Sequence, residues 1–136
     1  MSNYKIIDIE GIGPVYGEKL QAVGIKDTDA LLEKCAKPAG RKALEGETGI
    51  SGKLILTWTN HADLMRINGV GPQFSELLEA AGVDTVKELK HRVPANLQAK
   101  LEEINAEKNL VNRVPAVSEV EKMIEQAKEL PAVMEY

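Results

Sequence analysis

The chain has 136 residues and a mass of 14.9 kDa, which suits one domain or two small units that share a core. An apolar fraction of 43% beside 28% charged residues excludes wholesale disorder. The net charge of −4 is unlike that of a basic nucleic-acid-binding domain, and Cys35, the sole cysteine, excludes an internal disulfide. No apolar run reaches the roughly 20 residues of a membrane span, and residues 1–8 lack a signal-peptide pattern. We therefore expect a cytoplasmic protein with no membrane partner.

The first part of the chain predicts short helices separated by glycine-containing turns. Gly24 stands in the C-cap position after the first helix, and Asp27 and Thr28 are N-cap residue types before the second. Pro38 opens a third helix, which residues 48–51 break. The predicted helices cover residues 15–23, 29–35 and 38–44.

The segment from Ser51 to Ile67 begins with a run that is apolar on nearly all sides, so we predict that it lies in the core. Its pattern fits one continuous helix, or two helices if Asn60 and Asp63 form a second N-cap pair. Residues 48–58 also have the spacing of a helix-turn-helix DNA reader. The would-be recognition helix, residues 52–58, has one cation and little to contact base edges, which favours a core helix.

The second part of the chain repeats this plan. We predict a helix over 72–81 closed by Gly82, a helix opened by a Thr85–Glu88 capping box, and a helix that begins at Pro94. The last helix begins near Ser118 and has one apolar face, which we expect to pack on the preceding unit. The alternative is that its acidic face occupies a nucleic-acid site. No alternating strand pattern occurs, so we predict an all-α protein.

The most informative pattern is a duplicated turn, since Ile9–Pro14 recurs 58 positions later as Ile67–Pro72. The first glycine of each turn can adopt positive φ, the second permits close backbone approach, and proline suits the first helical position. A duplicated turn inside a longer repeat is much stronger evidence than a lone Gly-x-Gly. The two turns, both expected to face outward, comprise Gly11, Ile12, Gly13, Pro14 and Val15 in the first copy and Gly69, Val70, Gly71, Pro72 and Gln73 in the second.

These turns, with Leu20 and Leu78 in the helices that follow them, resemble the helix-hairpin-helix superfamily of DNA repair, recombination and RNA polymerase subunit domains. The whole chain, including residues 58–67, is also similar to an uncharacterised bacterial tandem helix-hairpin-helix family, a domain of unknown function. The resemblance implies two tandem repeats with a C-terminal packing helix. The expected parts are residues 1–60, 61–113 and 114–136 of one compact unit, over a core containing Leu20, Leu56, Trp58, Leu64, Leu78, Leu89 and Leu101.

In DNA-binding members of the superfamily, the hairpin and the following helix N-terminus hold a backbone phosphate, and a cation usually follows the second glycine within two positions. Here neither hairpin supplies a cation, since those places include Val15 and Gln73, and acids lie near both turns: Glu10, Glu18, Glu76 and Glu79. Our leading hypothesis is therefore a non-enzymatic interaction or scaffold module that binds another protein. The alternative is sequence-independent binding of a nucleic-acid phosphate backbone through both hairpins.

Other candidate residues have ordinary structural explanations beside functional ones. Lys87, Lys90 and Arg92 form a basic patch that could meet phosphate or an acidic partner, or could be a solvated helix face. Tyr16 and Phe74 occupy equivalent positions and could stack on a ligand, but matching core positions are favoured.

The pattern of titratable residues predicts no catalytic or metal site. His61 and His91 are lone histidines without a second ligand at suitable spacing, and Cys35 has no nearby histidine to activate it. We therefore predict no cofactor and no enzymatic activity.

Overall fold

Eight α-helices and one short 3-10 turn, Ile6–Asp8, make up the regular structure of residues 3–136, the part of the chain that the computed structural model describes. Within that part the all-α prediction is confirmed, since the sole β contact is an isolated bridge between Lys5 and Asp27. Residues 1 and 2 of the predicted first unit lie outside it. The helices are α1 (Pro14–Ala22), α2 (Thr28–Cys35), α3 (Pro38–Thr48), α4 (Gly52–Leu64), α5 (Pro72–Ala80), α6 (Val86–Leu89), α7 (Pro94–Lys108) and α8 (Val117–Glu129).

The helix ends follow local sequence rules. Proline occupies the first turn of α1, α3, α5 and α7, where its missing N–H leaves no intrahelical bond unmade. The Asp27 carboxylate accepts a hydrogen bond from the Ala30 N–H at 2.8 Å, and the Thr85 hydroxyl accepts one from the Glu88 N–H at 3.3 Å. Gly49, with a φ of 72°, ends α3 in the left-handed conformation.

Helix α4 is one continuous helix and the most buried element of the chain. It packs against α2, α3 and α5, and every residue from Trp58 to Leu64 is buried. The alternative of two helices with an Asn60–Asp63 cap is therefore wrong. Both side chains lie in the last two turns of α4, where they serve tertiary partners: Asn60 accepts from the Tyr136 hydroxyl and Asp63 accepts from the Val86 N–H.

Helix α8 packs against α6 and α7 through Val120, Met123, Ile124 and Ala127. It begins at Val117, so the expected start at Ser118 is slightly displaced. The Glu119 carboxylate, and not that of Glu121, accepts from the N–H of the N-cap residue Ala116 at 3.1 Å.

The core agrees with the predicted list except at one residue. Leu20, Trp58, Leu64, Leu78, Leu89 and Leu101 are buried. Leu56 is only partly buried, because the helical period places Ile55 and Trp58 on the inner face of α4 instead. Among the described residues, no helix combines the length and apolar content that crossing a bilayer requires.

Candidate functional site: the two hairpins

The two Gly-x-Gly-Pro turns have nearly the same backbone conformation. Gly11 has a φ of 92° and Gly69 a φ of 97°, a region that side chains with a Cβ rarely adopt. In the first turn the Ile12 N–H donates to the Ile9 carbonyl at 3.1 Å, and in the second the equivalent bond, from Val70 to Ile67, is also 3.1 Å. The glycine requirement at the first position of each turn is therefore conformational.

The helices that follow the turns also end alike. Gly24 and Gly82 have φ values of 89° and 91° after α1 and α5. The N–H of the next residue then donates back to a buried leucine carbonyl, at 2.9 Å to Leu20 in the first copy and at 2.8 Å to Leu78 in the second. The repeat detected in the sequence thus recurs as a repeat in backbone geometry from each turn to the end of its helix.

The first hairpin is open to solvent and carries exposed apolar side chains. Val15 is 67% exposed and Ile7 is 49% exposed, although most large apolar side chains in the described chain are buried. Pro14, which precedes Val15, is exposed, and Ile12 is buried in the turn. Ile7, Ile12 and Pro14 border a groove together with Gly13, Glu18 and Gln21, and Val15 adjoins it as the residue after Pro14. We call the surface formed by Ile7, Pro14 and Val15 the first-hairpin face.

Three acidic residues, which we call the acidic rim, lie near the first turn: Asp8 follows Ile7, Glu10 precedes Gly11, and Glu18 borders the groove. Asp8, Glu10 and Glu18 are all exposed. The second position after Gly13, where a phosphate-binding hairpin would place a cation, holds the exposed Val15. A phosphate at this turn would meet backbone N–H donors but also three nearby carboxylates, which repel it.

The second hairpin differs because α8 covers one side of it. The Asn68 N–H donates to Gln126 Oε1 at 3.0 Å, and Gln126 Nε2 donates back to the Asn68 carbonyl at 3.3 Å. The Met123 methyl lies 3.3 Å from the place a Cβ on Gly69 would occupy. The expectation that both hairpins face outward therefore holds for the first but is wrong for one side of the second, because the acidic helix α8 lies there.

The aromatic residue after each turn lies in or against the core, as favoured. Phe74 is 8% exposed. Tyr16 is half-buried, and its ring centroid lies 5.1 Å from that of Trp58 beneath the first hairpin. A Cβ on Gly11 would lie 3.4 Å from Trp58 Nε1, so this tryptophan supports the turn directly.

The predicted basic patch is partly dispersed. Arg92 Nη2 donates to Glu88 Oε1 at 2.9 Å and to the Gly82 carbonyl at 3.0 Å, which closes the end of α5. Lys90 Nζ lies 3.4 Å from the Leu130 carbonyl. Lys87 is exposed. Lys90 and Arg92 are therefore partly buried with contacts inside the fold, and Lys87 is the most exposed of the three.

A polar array at α4 and α5 was missed by sequence reasoning. His61 Nδ1 lies 2.7 Å from Ser75 Oγ, and His61 Nε2 lies 3.1 Å from Glu79 Oε2. The Ser75 hydroxyl is fully buried and donates to the Pro72 carbonyl at 2.8 Å. The three residue types are those of a hydrolase triad, but the serine is closed off from solvent, and the array fixes the start of α5 against α4. His61 and Ser75 are distant along the chain, so no local sequence pattern predicts this contact.

The other two candidate residues, Cys35 and His91, differ in exposure. Burial raises the pKa of the Cys35 thiol to about 11, although Thr59, Lys34 and Arg41 act to lower it, so the thiol stays protonated at neutral pH. His91 is exposed. In the described part of the chain, no cluster of three His, Cys, Asp or Glu side chains has metal-binding geometry.

These features define an all-helical protein with two equivalent glycine turns, one open and one partly covered. The model of the family described as domain of unknown function (DUF4332) matches residues 10–130, so the chain belongs to that family. The expected membership of an uncharacterised domain family is thereby confirmed. Neither the search of curated proteins nor that of solved structures finds a match.

Proposed function

We propose that the chain is a non-enzymatic interaction module built from two tandem helix-hairpin-helix repeats and a C-terminal packing helix, and that it binds another protein through the first-hairpin face. The repeat assignment is supported by the matching φ values of the turn glycines, by proline at the start of α1 and α5, and by the matching helix ends. The uncharged residue after each turn distinguishes both hairpins from phosphate-binding ones.

One observation carries the proposal of a protein partner: two of the five large apolar side chains that are exposed in the described chain, Ile7 and Val15, lie at the open hairpin. Ile7 borders the same groove as Pro14, Val15 follows Pro14, and burying such a surface against a partner is favourable at roughly 25 cal/mol per Å² of apolar area. The acidic rim of Asp8, Glu10 and Glu18 would then select a partner with basic residues around an apolar centre.

The proposed site is tested by affinity capture from the native cells with nuclease-treated extract. The wild-type chain is compared with Val15→Asp and with the matched control Gln73→Asp at the equivalent position of the second copy. We expect a discrete protein partner with the wild type and the control, and its loss with Val15→Asp. Equal capture by both variants, or capture that disappears on nuclease treatment, would reject the first-hairpin face as a protein-binding site.

The alternative, binding of a nucleic-acid phosphate backbone through both hairpins, is favoured by the free backbone donors that begin α1 and α5. Its test is a fluorescence anisotropy titration of duplex and single-stranded DNA at low salt. A phosphate-binding module must bind, with log K falling linearly as log salt rises. We expect no saturable binding, because the acidic rim opposes it.

We further propose a bacterial, cytoplasmic setting. The resemblance to a bacterial family is the support for the origin. The support for the compartment is that Cys35, the sole cysteine, is a free thiol, which suits a reducing environment.

A further inference from the structure

A groove beside the ends of α2, α3 and α4 is occupied by residues 131–136, which follow α8 without regular secondary structure. We call residues 131–136 the tail segment. The groove that receives it is formed by Ala36, Arg41, Asn60 and Arg66, and we call it the tail groove. The tail groove is separate from the first-hairpin face, and a role for it does not depend on the function proposed above.

The groove holds the tail segment mainly through main-chain atoms. Arg66 Nη2 donates to the Pro131 carbonyl at 2.8 Å, and Arg41 Nη2 donates to the Glu135 carbonyl at 2.8 Å. The Glu135 N–H in turn donates to the Ala36 carbonyl at 2.8 Å. Contacts of this kind recognise the backbone of a peptide that is not itself helical, largely independently of its side chains.

Side-chain selectivity is concentrated at Tyr136. Its hydroxyl donates to Asn60 Oδ1 at 2.9 Å, and the Arg41 guanidinium carbon lies 5.8 Å from the ring centroid, within cation–π range. The Tyr136 side chain is 67% exposed, and partial burial of its phenol, together with the charges of Asp84 and Asp63, raises the pKa to about 12. Val133 borders an apolar cavity with Leu32.

The groove residues are polar and are covered when the tail segment is in place. Arg41, Asn60 and Arg66 are then 9%, 7% and 6% exposed, and polar groups buried to this degree require partners, some of which the tail segment supplies. Arg41 is oriented by the Cys35 and Ala36 carbonyls, and Arg66 by the buried Asp63 carboxylate. Each arginine therefore donates one hydrogen bond from Nη2 to the tail segment, and its other contacts hold the guanidinium in position.

The family match covers the groove residues but not the tail segment. The four groove residues lie within the matched range 10–130, and the tail segment begins directly after it. From this, and from the contacts above, we infer that the tail groove is a binding site for a non-helical peptide. Its occupant here is the tail segment, acting in cis as a separable ligand with tyrosine as its side-chain anchor.

A separable ligand must leave its site without unfolding the domain. Amide hydrogen exchange on the full chain tests this, because the Glu135 N–H reports tail contact and the amides of α4 report global unfolding. We expect the Glu135 amide to exchange through a local opening while α4 stays protected. In Tyr136→Ala, its exchange should quicken by roughly tenfold, the effect of losing one hydrogen bond and a ring contact, with α4 unchanged. Loss of protection in Glu135 and α4 together would overturn the inference.

A vacated groove must also accept the same peptide in trans. The full chain carrying Val133→Asp and Tyr136→Ala is titrated with a fluorescent, terminally blocked peptide of residues 131–136. We expect saturable binding about tenfold tighter than to the wild type, whose own tail competes at millimolar effective concentration. A peptide with Tyr136→Phe, which lacks only the hydroxyl, should bind more weakly, and a scrambled peptide should not bind.

Two results of the titration would contradict the proposal. One is equal binding of the peptide to the variant and to the wild type. The other is absence of saturable binding to a variant that keeps the helical circular dichroism of the wild type. If the variant unfolds, hydrogen exchange on the wild-type chain still decides, because a tail that opens only with α4 is part of the core and not a ligand.

Discussion

The two hairpins of this chain share a backbone and differ in their surroundings. Gly11 and Gly69 have φ values that agree within a few degrees, and the hydrogen bonds that close each turn have equal lengths. The first turn is exposed and apolar, with Val15 at its tip. At the second turn Gln126 of α8 bonds to both backbone groups of Asn68, and Met123 packs beside it.

The difference teaches that local sequence sets the conformation of a turn, whereas its neighbours set its availability to a partner. The equivalent positions Gly17 and Ser75 show the same division. A Cβ on Gly17 would lie 2.7 Å from Ile7 Cγ2, so the glycine admits an apolar side chain over α1. Ser75 instead contacts His61 and fixes α5 to α4. The first hairpin therefore carries an exposed apolar surface, whereas the second is attached to the core.

The largest expected effect is a difference in stability loss between alanine variants of the two aromatic residues. Phe74→Ala should lower the free energy of unfolding by about 3–5 kcal/mol, because a buried ring leaves a cavity. Tyr16→Ala should cost roughly half as much or less, since the Tyr16 ring is only half-buried against Trp58. Urea denaturation followed by circular dichroism measures both, and equal losses would show that the two hairpins are equally integrated in the core.

The shared conformation of the turns is tested by paired glycine substitutions. Gly11→Ala and Gly69→Ala should each cost at least about 1 kcal/mol, because alanine is strained at positive φ. Gly13→Ala is the matched control, since Gly13 has a φ of −86° and a Cβ there meets nothing within 4 Å. A control as destabilised as the other two would contradict the conformational explanation of the motif.

The cover over the second hairpin is tested at Gln126. Gln126→Ala removes both hydrogen bonds to Asn68 and should cost about 1 kcal/mol, a modest effect because the bonds are exposed to solvent. Amide exchange near Asn68 should quicken while that of the first hairpin stays the same. Unchanged exchange at Asn68 would mean that α8 does not hold this turn.

The smallest expected effect on stability is at the open turn. Val15→Asp should change the free energy of unfolding by less than about 0.5 kcal/mol, because Val15 is 67% exposed. Thermal unfolding compares it with the Gln73→Asp control. A large loss of stability would show that Val15 has a structural role, and would remove the basis for using this variant to test partner binding.

Much of the fold could be predicted because its signals are local. The positions of proline at helix starts, glycine at helix ends and the duplicated turn can be read directly from the sequence. Together with the helical period, these signals correctly predicted six of the seven core residues. Leu56 was misassigned because a uniformly apolar run conceals which face is inner. The sequence left a cap at Asn60 and Asp63 open beside one continuous helix, because the partners of these residues, Tyr136 and Val86, are distant in sequence.

The candidate site was harder to predict for the same reason. The turn residues were identified correctly, but neither the cover provided by Gln126 nor the contact of His61 with Ser75 has a sequence signature. Both depend on how helices pack. The tail segment was included in the expected C-terminal amphipathic helix, residues 114–136, whereas α8 ends at Glu129. Its main-chain contacts to Arg41 and Arg66 require no particular residues in the tail, so they have no sequence signature.

The central claim, that the open first turn binds a protein and the covered second turn does not, is tested most directly by photo-crosslinking in cells. A benzophenone side chain is placed at position 15 or, as the matched control, at position 73. We predict a discrete, nuclease-resistant protein adduct from position 15 and none from position 73. Equal adducts at both positions, or an adduct to nucleic acid alone at position 15, would contradict the account.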